Sequence, residues 1–342
     1  MTADFKKSFQ IGGREVGPDA PCLFIAEAGV SHFGDMGLAR ELVDLAAEAG
    51  ADVFKTQFFD VDVLIAARAG EWRDRLRPRN LTLDDAIELK SRCHSKNLLF
   101  MSTAHDASRI EWLRRLNVPA IKVGSGERNN PDFLRALAAL RKPMIVSTGM
   151  YGEADVKEAV KACRSGGCTE IALLHCVTSY PAPEADVNLK AMNRLAEIFP
   201  GPVGYSDHTE DFLAVYAAVA RGARVIEKHI TILRDVPNAH DWKVSAGPEN
   251  LKELVSNIRR IEVMLGHGRK EPAPSEVPGI NWATKSLVAA RDLPAGHALT
   301  TQDLIAKRPG DGIPPNQLAK ILGRRLARPI SADECVHLAD LD

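Results

Sequence analysis

The sequence predicts an α/β protein, a (β/α)8 TIM barrel followed by a small C-terminal α+β domain. Three observations predict it. From Pro21 onward, short apolar or β-branched runs alternate with longer stretches of helical period, which is the signature of βα units around a parallel sheet. Eight such units follow one another, the number that closes a barrel. Past them, residues 266–280 (GHGRKEPAPSEVPGI) are rich in Pro, Gly and charge and lack an apolar period, which marks a linker.

The strand candidates are Cys22–Glu27, Asp52–Gln57, Leu98–Thr103, Ala120–Ser125, Pro143–Thr148, Glu170–His175, Pro202–Asp207 and Arg224–His229. Between them lie amphipathic stretches such as MGLARELVDLAAEAG and ADVKEAVKACRSGG, several closed by Gly or Asn as a helix stop. The domain reading is therefore barrel 1–265, linker 266–282 and a compact unit 283–342 with short strands and a tight turn at LPAG.

Bulk properties narrow the function. The chain has 342 residues, 45% hydrophobic and 26% charged, with a net charge of −1. That balance offers no field for a nucleic-acid partner. No apolar run reaches the roughly 18 residues of a membrane span, and MTADFKKSFQ lacks the apolar core of a signal peptide, so the expected setting is cytoplasmic, without membrane association. The six cysteines are scattered without a CxxC pair, the pattern of reduced thiols rather than a zinc site.

Polar residues gather at the C-terminal ends of the strand candidates, where a barrel builds its active site. They are Glu27, Lys55 with Gln57, Ser102 with Thr103, Lys122 with Ser125 and Glu127, Ser147 with Thr148, His175, Ser206 with Asp207 and His208, then Glu227 with His229. His208 and His229 come from neighbouring strands about 5 Å apart, so their imidazoles can share one ion, with Glu27 closing the ring. Such a mixed donor set suits Mn, Mg or Zn as a Lewis acid. Lys55 and Lys122 point into the same mouth and require negative charge. Either a bound anion supplies it, aided by Ser125 and Ser206, or carboxylates such as Glu127 or Glu227 do.

The segments FIAEAG, FKTQ, IKVGSGE, VSTGM, LLHC, SYP, GYSDHT and IEKHI, in that order, resemble the N-acetylneuraminate (sialic acid) synthases and their pseudaminate and legionaminate synthase relatives. AARDLPAGHALTTQDL and KRPGDGIPP resemble the antifreeze-like (SAF) domain of the same family. The resemblance implies condensation of phosphoenolpyruvate with an N-acylated amino-hexose, in which C3 of the enol attacks an open-chain aldehyde, water adds at C2 and phosphate leaves. It implies His208 and His229 as ligands of a divalent metal, Mn first, with Mg or Co as alternatives. Lys55, Thr103, Lys122, Ser125 and Ser206 would cradle phosphoenolpyruvate. Glu127 would orient the attacking water, Glu27 would face the metal and sugar, and Tyr180 would line the sugar pocket. It further implies a domain-swapped homodimer in which Arg308, of the KRPG motif, reaches the acyl group in the partner's barrel.

Departures from the family pattern cluster where the sugar is expected. Thr178 stands where Asn is usual before Tyr-Pro, His105 replaces an aromatic in STAHD, and SHFG carries Phe33. After the eighth strand RDVPNAHDWKVS replaces the usual Pro-Gly-Pro-Asp loop, with Asp241 as the sugar-contacting acid. The expectation is the same reaction on a different N-acylated hexose. Two rival classes are a metal-dependent barrel hydrolase, whose HxH pair after the first strand is missing, and a non-catalytic binding relative, which would not need the lysine and histidine set. Heptulosonate and octulosonate phosphate synthases share the chemistry but lack the C-terminal domain.

Overall fold

The computed structural model describes residues 4–237 and 239–342. The first three residues of MTADFKKSFQ and Asn238 of the RDVPNAHDWKVS loop lie outside the described residues. The chain divides into two compact units, Met1–Gly266 and His267–Asp342.

The first unit opens with an antiparallel hairpin, β1 (Phe9–Ile11) and β2 (Arg14–Val16), which the sequence reading passes over. Its turn is Gly12-Gly13, both at positive φ, the backbone that a two-residue hairpin demands and that glycine adopts without strain. The barrel strands follow: β3 (Leu23–Gly29), β4 (Val53–Phe58), β5 (Leu99–Ala104), β6 (Ile121–Val123), β7 (Met144–Ser147), β8 (Ile171–Cys176), β9 (Val203–Asp207) and β10 (Val225–His229). They pair in parallel in sequence order, and β10 pairs back onto β3 to close the ring. Each matches its candidate to within one or two residues. The exception in substance is β6, which stops at Val123, so that Ser125 sits with Glu127 on a following 3-10 turn rather than in the strand.

The helices are α1 (Met36–Glu48), α2 (Val61–Leu64), α3 (Gly70–Leu76), α4 (Leu83–Ser95), α5 (Ile110–Arg115), α6 (Pro131–Ala138), α7 (Glu153–Ser165), α8 (Glu184–Val187), α9 (Lys190–Ile198), α10 (Leu213–Ala220) and α11 (Leu251–Leu265). In α1, Ala39, Leu42, Val43 and Ala46 recur at helical spacing and are buried, while the Asp35 carboxylate caps the free amides of Gly37 and Leu38. In α4, Thr82 and Asp85 form a reciprocal capping box. No helix among the described residues is long and apolar enough to cross a membrane.

Alternation along each strand sorts its side chains to two sides of the barrel wall. On β10, Ile226 faces the helices and Val225 the barrel interior; on β3, Phe24 and Ala26 face outward and Leu23 and Ile25 inward. The interior is stratified. Its N-terminal layer is apolar, built from Leu23, Ile25, Val53, Met101, Ala120, Ile145, Ala172, Leu174 and Val225. Phe9, Ile11 and Val16 of the hairpin join this cluster and plug the N-terminal end. Each such fully buried Leu or Ile contributes about 1.5–3 kcal/mol relative to exposure. The C-terminal layer holds the ionisable residues.

The same alternation removes part of the polar census from the mouth. Ser102 donates to the Thr56 carbonyl at 3.0 Å and Thr148 to the Leu174 carbonyl at 2.8 Å. His175 lies 2.7 Å from the Val187 carbonyl. Asp207 pairs with Lys228, both completely buried; Tyr205 donates to Asp207 at 2.8 Å, and Lys228 also donates to the Thr209 carbonyl at 2.7 Å. These outward groups tie strands to their neighbours in the barrel and to adjoining segments. The Asp207–Lys228 pair fastens the ends of β9 and β10, one residue away from His208 and His229.

The second unit contains α12 (Val277–Ala283), an antiparallel pair β11 (Ser286–Ala289) and β12 (Leu304–Lys307), and α13 (Leu318–Ile321). Thus the segment read as an unstructured linker ends in a two-turn helix, whose residues are exposed or half-exposed and so leave no apolar period to read. Leu287, Leu293, Leu299, Ile313, Leu326, Ile330 and Val336 form this unit's own core.

Candidate active site

Eleven of the twelve expected site residues line one cavity of about 540 Å³ at the C-terminal mouth of the barrel. They are Glu27, Lys55, Thr103, Lys122, Ser125, Glu127, Tyr180, Ser206, His208, His229 and Asp241. Arg308 belongs to the second unit, where it is exposed with its guanidinium 5.8 Å from the centre of the Trp282 ring.

The floor of the cavity is a buried charge network. Lys55 Nζ lies 2.9 Å from Glu27 Oε2 and 3.6 Å from Glu227 Oε2; Lys122 Nζ lies 3.1 Å from Glu227 Oε1. Of the two alternatives for the lysines, the protein alone therefore adopts carboxylate pairing, through Glu27 and Glu227 and not Glu127. Hydroxyls complete the floor: Lys55 donates to Thr103 Oγ1 at 3.3 Å, Lys122 to Ser147 Oγ at 2.9 Å, and Ser206 to Glu227 at 3.0 Å. Gln57 donates to Glu27 Oε1 at 2.8 Å.

Two ammonium groups face two carboxylates, so the floor is close to neutral. Burial works against every charge in it. For Lys55 the carboxylates of Glu227 and Glu27 outweigh burial and hold its pKa above the ordinary lysine value. For Lys122 burial, abetted by repulsion from Lys55, outweighs Glu227 and pushes the pKa down. Glu227 is buried too, but Lys122, Lys55 and His229 hold it well below the usual carboxylate range.

Above the floor stand the two histidines, their ring centres 5.5 Å apart. His208 Nδ1 lies 2.7 Å from the Val177 carbonyl, which can only accept, so Nδ1 carries the proton and Nε2 keeps a lone pair. Burial and the neighbouring His229 push the His208 pKa down to about 3, keeping the ring neutral. His229 Nδ1 is buried and has no hydrogen-bond partner among the described residues. The Tyr180 ring lies 4.1 Å from that of His208 and 5.8 Å from that of His229, and burial keeps its hydroxyl protonated. A neutral imidazole with a free lone pair beside a second one with an orphaned nitrogen fits a divalent cation of borderline softness. Among the described residues no set of three His, Cys, Asp or Glu side chains forms a complete cage, and Glu27 is taken up by Lys55 and Gln57. From the protein, such a cation would take the imidazoles of His208 and His229.

Glu127, on its 3-10 turn, receives a hydrogen bond from Asn130 at 2.8 Å; burial raises its pKa despite that bond. Ser125 Oγ accepts from the Gly149 amide at 2.9 Å. The departing positions His105 and Thr178 also line the cavity, and burial with the ammonium groups of Lys55 and Lys122 pushes His105 down to about 4.

Several lining residues stand outside the expected site set, Glu227 having been expected only as an alternative partner of the lysines. Glu227, Gln57, Ser147 and Cys176 share the inward face of their strands, and a strict two-residue count back from His229 finds Glu227. Trp72, Arg75 and Arg79, from α3 and the turn after it, form an outer rim for which no periodic signal exists.

The chain resembles known proteins over nearly its whole length. Residues 42–270 match the NeuB family and residues 284–342 the SAF domain. The chain is 40% identical over 335 residues to an uncharacterized protein of Methanocaldococcus jannaschii, covering 98% of this chain and 99% of the relative. It is 39% identical over 333 residues to the N,N'-diacetyllegionaminic acid synthase of Legionella pneumophila, covering 92% and 93%. Among solved structures, the N-acetylneuraminic acid synthetase of Leptospira borgpetersenii, in complex with citrate, superposes with a TM-score of 0.73 at 34% identity, over 81% of this chain and 96% of that one.

Proposed function

The chain belongs to the NeuB family, and on that premise we propose that it condenses phosphoenolpyruvate with an N-acylated amino-hexose to give a nonulosonic acid and phosphate. The acceptor is N-acetylmannosamine or a 2,4-diacetamido-trideoxyhexose. The observation that carries the reading is the buried lysine pair with its hydroxyls, in one cavity with the paired imidazoles of His208 and His229.

Phosphoenolpyruvate brings roughly −2.5 to −3 charges, counting its phosphate and carboxylate. Lys55 and Lys122 turn from Glu27 and Glu227 toward it, and Thr103, Ser125, Ser147 and Ser206 supply neutral donors. Since the floor is already balanced, the incoming charge favours a cation close by. His208 and His229 would hold that divalent metal, which when bound polarises the sugar aldehyde and neutralises the alkoxide that develops there.

The chain's own groups serve the remaining steps. Glu27, held by Lys55 and Gln57, faces the aldehyde end of the sugar. As C3 of phosphoenolpyruvate forms the new carbon–carbon bond, positive charge grows at C2, and Glu127 takes a proton from the water that adds there. Its raised pKa suits a base that must later release that proton. Collapse of the adduct breaks the C2–O bond and expels phosphate. Tyr180 and Asp241 border the sugar, and in a domain-swapped homodimer the partner's Arg308 would reach its acyl group. The setting is cytoplasmic, where phosphoenolpyruvate is made.

The test is phosphate release from phosphoenolpyruvate with Mn across a panel of these sugars, repeated with His229→Ala. Release with one sugar, abolished by the substitution, is the expected result. A folded, metal-loaded protein that binds phosphoenolpyruvate but releases no phosphate with any sugar would instead support a binding relative.

A further inference from the structure

Glu127 stands between two spaces. It lines the barrel-mouth cavity, and it also lines a small crevice of about 10 Å³ between the N-terminal halves of α6 and α7. Leu134 and Ala159 wall the crevice on its buried side. Asn129, Asn130 and Glu158, all exposed, edge it, so it opens to solvent without passing through the cavity. Tyr151, just before α7, completes the lining, and its hydroxyl is buried without a hydrogen-bond partner among the described residues. Burial first, and then the negative charge of Glu127, raise the pKa of that hydroxyl, which keeps its proton in place and marks the carboxylate as a near neighbour. The Asn130 side-chain amide, at the crevice edge, donates to Glu127 Oε2 at 2.8 Å. A buried hydroxyl left unpaired is costly, and a polar space of about 10 Å³ beside it is close to the room that one water needs.

We propose that Tyr151 anchors one water against Glu127 in this crevice, and that this water passes to solvent the proton that Glu127 takes during the reaction. The inference rests on the synthase reading, which gives Glu127 a proton to dispose of at each turnover. With phosphoenolpyruvate and sugar filling the cavity and the attacking water consumed, the crevice is the side of Glu127 that still meets water. The transfer balances. Tyr151 donates to one lone pair of the crevice water, the other lone pair accepts the proton from the Glu127 carboxyl, and one of the water's own protons passes to bulk water at the exposed edge. Glu127 returns to the carboxylate, the crevice water is restored, and Tyr151 keeps its proton throughout. The alkoxide formed from the aldehyde takes its proton from solvent at the mouth, so the proton given up at C2 is matched by one gained at the sugar. Tyr151 is a positioning residue, acting through the water it holds.

The experiment compares the full wild-type chain with Tyr151→Phe, using Mn, phosphoenolpyruvate and the sugar panel. Phe keeps the ring and deletes only the hydroxyl, so the urea midpoint should not fall. The kcat for phosphate release should drop by about tenfold or more, part of the roughly 100–10,000-fold that general acid–base catalysis supplies, with both KM values unchanged. The ratio of kcat in H2O to kcat in D2O should rise in the variant, because proton release has become the slow step; a merely structural role for Tyr151 would leave that ratio alone. A high-resolution crystal structure of the wild type should hold a water about 2.8 Å from both Tyr151 Oη and the Glu127 carboxylate, and Tyr151→Phe should lose it. An unchanged kcat, a lower kcat with an unchanged isotope ratio, or a wild-type crevice without that water overturns the relay and leaves the synthase reading intact. Absence of phosphate release from the wild type with every sugar overturns the synthase reading, and the relay falls with it, since Glu127 then has no proton to pass on.

Discussion

Glu227 Oε1 lies 3.1 Å from Lys122 Nζ, while the other oxygen of the same carboxylate lies 3.6 Å from Lys55 Nζ, so one buried acid is shared by both cations of the floor. Glu227→Ala removes that shared counter-charge from beside two buried ammonium groups. The expected loss is about 3–5 kcal/mol of unfolding free energy in urea titrations. Because an anion can replace the carboxylate, saturating phosphoenolpyruvate at about 100 times its Kd should restore about 2.7 kcal/mol. Equal stability of wild type and variant would show that Glu227 does not hold the lysines.

Lys122 is the cation most easily discharged, since burial already lowers its pKa. Lys122→Met keeps the volume of the side chain and deletes its charge. Loss of one such donor to a developing anion is expected to lower kcat/KM for phosphate release by about 100–1000-fold, with the fold intact by circular dichroism. A change of less than threefold would exclude it from the anion cradle.

Acid sensitivity follows from His32. This residue is 1% exposed and its Nδ1 accepts from the Gly34 amide at 3.1 Å; burial first, then Arg79, pushes its pKa down from 6.5 to about 4. The folded pKa is depressed, so the unfolded chain binds the proton more readily. Its contribution to stability is full above about pH 6.5 and is lost as pH falls from there to about 4. Within that window His32→Asn, which keeps an acceptor for Gly34, should flatten the fall of stability by up to about 1.4 kcal/mol per pH unit. Urea midpoints between pH 4 and 7 measure it, and parallel curves would refute it.

Arg308 tests the proposed exchange of domains between copies. Arg308→Ala and His229→Ala chains, each inactive or nearly so alone, should regain activity when unfolded and refolded together. A mixed dimer then has one barrel with intact histidines that receives the partner's Arg308. Random pairing makes half the dimers mixed with one working site each, so recovery should approach about a quarter of wild-type activity. No recovery, with mixed dimers demonstrated by tagged pull-down, would place Arg308 outside the partner's site.

Much of the fold is legible because each barrel strand is buried on both faces. Such strands read as unbroken apolar runs, and Gly or Asn after several helices punctuates them. The hairpin escapes that reading, since three-residue strands are too short to show a period, although Gly12-Gly13 is its mark. At the site, the same residues that read as a cluster at strand ends converge on the cavity, because a closed parallel barrel brings all eight C-terminal ends together. What the residues alone leave open is pairing. Which carboxylate meets Lys122 depends on register and on the inward set of each strand, and Ser102, Thr148, His175 and Asp207 turn outward for the same reason. The rim arginines lie on a loop and its short helices, whose direction no local pattern dictates.

The hairpin of Phe9, Ile11 and Val16 has a consequence for traffic. With its lower end stoppered, the barrel is a cul-de-sac, and everything that reaches Lys55 and Lys122 passes the rim first. On the proposed chemistry, phosphoenolpyruvate occupies the dead end and the sugar stands in the doorway. A sugar that arrives first blocks the corridor, so the substrates queue in one order.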